Sequence, residues 1–175
     1  MKADAPNFCP SCGTHNFSAI SVKEYHCSDC GYRFFQNTAS AVAAMIVVGR
    51  QVLLAERGRE PAKGLYDFPG GFVDPDENLE TALLRELSEE LALKPSLSQL
   101  QYAFSDFNTY EYASVVYKTV DVFFLAKLDM KPKLHVSDDV AAVKWFDINE
   151  IDPDELAFDG MRRAIIKLKA ILNRT

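Results

Sequence analysis

Residues 71–93 read GFVDPDENLETALLRELSEELAL, and the spacing of the acids in this stretch decides how the rest of the chain is read. At about 100° per residue, a helix gathers Leu79, Ala82, Leu83 and Leu87 into one apolar stripe. Glu86 and Glu90 fall inside that stripe and Glu89 at its edge. Acids favour a helix N-terminus, where the dipole is positive, yet these three carboxylates occupy the C-terminal half. Carboxylates on an apolar face are costly unless a cation meets them. A hard divalent ion such as Mg²⁺, which takes oxygen ligands, is the cation this spacing points to. The plainer alternative is a solvated acidic helix with an Arg85–Glu89 pair, worth only about 0.2–0.5 kcal/mol. Asn78 stands where it can cap the helix, and Pro95 where the helix must already have stopped.

The flanking residues extend the pattern. Gly71, then Glu77, Arg85, Glu86, Leu87, Glu89, Glu90 and Leu93 follow G-x₅-E-x₇-R-E-U-x-E-E-x-G-U, with U a bulky aliphatic. This arrangement resembles the Nudix box. One position departs: Ala92 stands where the pattern has glycine, at a helix end that often needs positive φ. The resemblance implies an α/β fold, an α/β/α sandwich with a mixed sheet. It also implies hydrolysis of the pyrophosphate bond in a nucleoside diphosphate linked to another moiety, with Mg²⁺ or Mn²⁺ as cofactor. Glu86, Glu89, Glu90 and the backbone carbonyl of Gly71 would hold that metal. Arg85 and Glu77 would pair to keep helix and loop in register. The general base would be a box glutamate, with Glu89 the better placed, or an acid from a later loop, Asp138 or Asp139. Of those two aspartates, Asp139 is preferred.

All four cysteines lie in the first thirty residues, as Cys9-x₂-Cys12 and Cys27-x₂-Cys30. Paired knuckles at this separation read as a Cys₄ zinc site with a structural role. Gly13 and Gly31, one after each knuckle, suit the turns in which backbone N–H groups approach thiolates. The expected organisation is a zinc ribbon over 1–36 and a hydrolase domain over 37–175. A cysteine ribbon ahead of such a box resembles the NADH pyrophosphatase branch. The proline- and tryptophan-rich signature of that branch is missing, since residues 94–112 read KPSLSQLQYAFSDFNTYEY. NAD(H) and ADP-ribose therefore stand as equal substrate candidates. Dinucleoside polyphosphates come next, since Tyr110 lies where hydrolases of those compounds carry a tyrosine. A non-catalytic nucleotide-sensing module is the reading from a different class, and the intact set of acids weighs against it.

The chain has 175 residues and a formal net charge of −6, with 48% hydrophobic composition. That supports one cored domain plus an appendage and disfavours broad capture of nucleic acid. Its longest apolar run is too short to span a bilayer, and MKADAPNF lacks the apolar region of a signal peptide. The expectation is a cytoplasmic enzyme acting on a small nucleotide, with a homodimer left open by the resemblance. Strands are expected over 41–48, 51–57, 101–107, 115–128 and 140–146, with a hairpin loop over 108–113 and a terminal helix over 161–172. Arg57 and Arg59 are candidates for phosphate contacts, and Phe107 and Tyr110 for stacking a base.

Overall fold

The computed structural model describes residues 6–173, apart from 114 and 138. By internal packing the chain divides into Met1–Thr38 with Glu111–Tyr117, and Ala39–Tyr110 with Lys118–Thr175.

In the first unit, β1 (Phe17–Ala19), β2 (Glu24–Cys27) and β3 (Arg33–Phe35) form a three-stranded antiparallel sheet in that order. Its core is small. Cys9, Phe17 and Cys27 are buried, with Tyr25 and Phe34 packed against them. Gly13 and Gly31 close the two knuckles with positive φ, their N–H groups donating to the carbonyls of Cys9 and Cys27 at 2.9 and 3.0 Å. The cysteines are free thiols, and their four Sγ atoms all lie within 4.8 Å of one another.

The larger sheet comprises β4 (Ala39–Val48), β5 (Gln51–Arg57), β6 (Tyr66–Asp67), β7 (Gly70–Phe72), β8 (Gln101–Tyr112), β9 (Val115–Lys127) and β10 (Val140–Asp147). The sheet order is β10-β5-β4-β9-β8, with β6 on β5 and β7 on β4. β4 and β9 run parallel and β4 and β5 antiparallel, so the sheet is mixed. Alternation along β4 explains the layering. Val42, Ala44 and Ile46 face α1 (Leu79–Leu91), burying Ala82, Leu83, Leu87 and Leu91. Ala43, Met45 and Val47 face α2 (Asp159–Leu172), burying Met161, Ala164, Ile165 and Leu168. The result is the expected helix–sheet–helix sandwich.

The ends of α1 follow local chemistry. Asn78 caps it in a reciprocal box with Thr81, satisfying donors that have no intrahelical partner. At the other end Ala92 adopts the left-handed conformation at φ 51, and the Leu93 N–H reaches back to the Leu87 carbonyl at 3.0 Å. Alanine thus makes the glycine-type helix stop, at a cost of about 1 kcal/mol for its Cβ. Ala92→Gly is accordingly expected to raise the thermal midpoint by about 2–4 °C, measurable by calorimetry.

The hairpin differs from expectation. β8 continues through residues 108–112, which the sequence assigns to a hairpin loop, and ends at Tyr112. Phe104, Asp106, Asn108 and Tyr110 share one face by alternation. Asp106 on that face is neutralised by Lys167 at 2.7 Å and Arg163 at 3.2 Å, both from α2. The Asp106 charge is thus met across the layer, and beyond it the strand continues with Asn108 buried.

Candidate active site

A cleft of about 310 Å³ opens in the second unit between the β7 turn, the C-terminal half of α1 and the ends of β8 and β9. Glu86, Glu89, Glu90 and Gly71 line one side of it. Their exposures follow the helical stripe: Glu90 is 8% exposed, and the side chain of Glu86 is far less exposed than that of Glu89. Glu90 Oε2 accepts the Gly70 N–H at 3.0 Å, tying α1 to the turn.

Two glycines make this proximity geometrically feasible. A Cβ on Gly70 would fall onto the Val42 carbonyl oxygen, in a backbone with φ 144. A Cβ on Gly71 would lie 2.5 Å from Glu86 Oε1. Gly70→Ala is therefore expected to destabilise the protein by about 2–3 kcal/mol, because backbone must move. Gly71→Ala displaces only a carboxylate, so it should leave the melting midpoint nearly unchanged and depress activity. Thermal melts alongside turnover separate the two effects.

Arg85 is the cation that meets the acids. Its Nε and Nη2 bind both oxygens of Glu77 at 3.0 Å, a bidentate pair. The same guanidinium donates to Glu86 at 2.8 Å, Glu89 at 3.1 Å and the Phe72 carbonyl at 3.0 Å. Arg85 holds the Glu77 carboxyl below the usual range, and Glu77 in turn pushes the arginine upward. The Arg85–Glu89 pair coexists with the expected Glu77–Arg85 pair, so both sequence readings describe bonds that are present. One guanidinium does not neutralise three carboxylates. The remaining donor set, carboxylate oxygens beside a backbone turn free of Cβ, suits a hard divalent ion.

The loop before β10 is fastened to the end of α1. His135 and Ser137 donate backbone N–H groups to the carbonyls of Leu91 and Glu90, both at 3.0 Å. The Ser137 hydroxyl binds the Glu89 carbonyl. These bonds satisfy terminal carbonyls of the helix and bring Asp139 to the cleft, paired with Arg59. Asp138 lies outside the described residues. Ser137 carries no motif that flags this role.

Arg57 lines the cleft but is already engaged, donating to the Pro61 carbonyl at 2.8 Å and to Asp67 at 3.1 Å. It also lies 4.9 Å over the Phe158 ring. Burial pushes the Asp67 carboxyl up to about 6 despite this arginine. Tyr110 lines the cleft too, its ring 5.4 Å from Phe72 and 5.3 Å from Phe158. Phe107 does not join it. Alternation turns it off the Asn108–Tyr110 face, and it stands 72% exposed beneath Arg163. The sequence reading missed Asn108, Thr119, Asp121 and Phe158, which also line the cleft.

In the first unit, Cys9 and Cys30 lie 3.7 Å apart, as do Cys12 and Cys27. The edge of a tetrahedron with Zn–S bonds of about 2.3 Å is about 3.8 Å, so the cluster fits a metal ion of that kind.

Among known proteins, the chain resembles the ADP-ribose pyrophosphatase of Methanocaldococcus jannaschii, at 31% identity over 73% of this chain and 72% of that one. It is 28% identical to the NAD-capped RNA hydrolase NudC of Deinococcus radiodurans, over 90% of this chain and 55% of the relative. The chain thus spans about half the length of the NudC relatives it matches. The NUDIX domain of Shewanella oneidensis NrtR, solved with ADP ribose, superposes with a TM-score of 0.63 at 28% identity, over 79% of this chain and 90% of that one. Residues 37–168 match the NUDIX domain family, and with the box helix, its glycine turn and the mixed sandwich all in place, the chain belongs to that family.

Proposed function

We propose that this protein is a pyrophosphohydrolase that cleaves the diphosphate of an ADP-linked compound, ADP-ribose or NAD(H). The observation that carries this reading is that Glu86 and Glu90 meet the Cβ-free turn Gly70-Gly71 and, with Glu89, line one cleft shared with aromatic and polar groups. Glu86, Glu89, Glu90 and the Gly71 carbonyl would hold Mg²⁺ or Mn²⁺. A divalent ion there supplies charge neutralisation at phosphate and a more acidic bound water.

The chain's own groups do the rest. Arg85, held bidentate by Glu77, keeps the carboxylates from splaying apart. Glu89, the most exposed of the three, is placed to take a proton from an attacking water. Asp139 is the competing base, brought in by the Ser137 docking. The four cysteines would hold a structural Zn²⁺, with no open position for substrate. The similarity to the M. jannaschii enzyme supports ADP-ribose, and that to the NudC proteins supports a dinucleotide. The net charge of −6 favours the free dinucleotide over one attached to RNA.

The test is turnover of ADP-ribose, NADH, NAD, Ap₄A and nucleotide sugars with Mg²⁺ and Mn²⁺, with products identified. Hydrolysis of ADP-ribose to AMP and ribose 5-phosphate, or of NADH to AMP and the reduced mononucleotide, is the expected result. No metal-dependent turnover of any diphosphate would overturn it.

A further inference from the structure

On β9, Leu125 and Phe123 bury their side chains on the α2 face. The next two positions of that face are Asp121 and Thr119, each only 3% exposed. A carboxyl so far from water is costly unless its oxygens are met. The Thr119 hydroxyl donates to Asp121 Oδ1 at 2.6 Å. Asp121 Oδ2 has no hydrogen-bond partner among the described residues. Asn108, 7% exposed and packed against Gly160, stands beside the carboxyl and favours its charged form. The surrounding cations are committed elsewhere: Arg57 to Asp67, and Arg163 and Lys167 to Asp106.

Oδ2 itself is buried, but its residue borders a cleft. Asp121, Thr119 and Asn108 line the same cleft as the box glutamates, together with the Tyr110 and Phe158 rings. The cleft therefore has two differently built parts. One is a carboxylate cluster suited to metal and diphosphate. The other carries the Tyr110 and Phe158 rings with the unmet acceptor of Asp121 beside them. Aromatic faces suit a flat ring, and a lone acceptor demands a donor from whatever ring enters.

We propose that Asp121, oriented by Thr119 and Asn108, recognises an amino or amide N–H on the aromatic base of the substrate and so determines base specificity. The inference rests on the proposed function for the identity of the ligand, a nucleotide. The donor could be the exocyclic amine of adenine or the carboxamide of nicotinamide. A keto oxygen at the same place would face Oδ2 acceptor to acceptor. Sites built to hydrogen-bond a particular group reject analogues lacking it, because the buried partner is left unmet.

The test is calorimetric binding of AMP, IMP and NMN to the full chain, compared with Asp121→Asn and Thr119→Val. The wild-type protein should bind AMP at least tenfold tighter than IMP. Asp121→Asn, which presents its own N–H₂, should bring that ratio near one or invert it, and Thr119→Val should reduce it partially. If AMP and IMP bind alike but NMN binding falls tenfold in Asp121→Asn, the proposal stands with the carboxamide as donor. Tighter binding of IMP than AMP by the wild-type protein would overturn it. So would affinities for all three ligands that are unchanged in a folded Asp121→Asn. Because the wild-type ratio needs no variant, misfolding of Asp121→Asn leaves a decisive measurement. Binding without turnover would separate this inference from the hydrolase reading: discrimination with no hydrolysis sinks the reaction and keeps the site.

Discussion

Glu90→Gln should lower kcat by about 10²–10³-fold, the scale seen when a group acting on developing charge is lost. Its fold should survive. Glutamine is isosteric, and its amide oxygen can still accept the Gly70 N–H that Glu90 now receives at 3.0 Å. What disappears is the buried charge of a carboxylate cluster in which Arg85 pairs with Glu86 and Glu89. Manganese binding, followed by its electron paramagnetic signal, should weaken in parallel. Wild-type turnover in a folded Glu90→Gln protein would remove the box from the mechanism. The same assay ranks the two candidate bases. If Glu89 takes the proton, Glu89→Gln loses far more activity than Asp139→Asn, and the reverse order assigns the role to Asp139.

Stripping metal from the cysteine cluster should unfold the first unit. Among the described residues, only Cys9, Phe17 and Cys27 are buried there, too little apolar surface to offset the entropy of ordering some thirty residues. Structural zinc contributes about 10–16 kcal/mol of apparent binding energy in comparable small sites, so its removal exceeds any stability the three short strands supply. The measurement is hydrogen exchange after selective chelation, with Mg²⁺ restored. Amides of β2 and β3 should lose protection, while those of β4 and β5 keep theirs. A zinc-free protein that retains protection in β2 and β3 would refute the structural role, as would metal analysis finding no zinc in the purified chain.

The parts of this protein legible from sequence are those in which chemistry and spacing are local. The helix period alone placed Glu90 and Glu86 inward and Glu89 at the rim, as the structure has them. Asn78 as cap and Gln51–Arg57 as strand were equally readable, since capping and alternation act over a few residues. The knuckle spacing brought four sulfurs together. Residues 108–112 read as a loop in the sequence, whereas they continue β8, with Asn108 buried and Tyr110 packed on Phe158, a partner far along the chain. Reading that stretch as a loop also left Asn108 out of the candidate site.

The sequence by itself determined the catalytic character of the chain: a glutamate helix beneath a glycine turn, and a cysteine cluster ahead of it. Both are sets of residues whose relative positions are dictated by one element or one pair of turns. Only the tertiary structure decided what else enters the cleft. Asp121 comes from β9, Asn108 and Tyr110 from β8, Phe158 from the start of α2, and Asp139 from a loop that Ser137 fastens to the helix end. These residues meet because parallel pairing of β4 with β9 and the packing of α2 bring distant segments into register. Such long-range pairing is a property of the assembled sheet, and no local period in the chain encodes it.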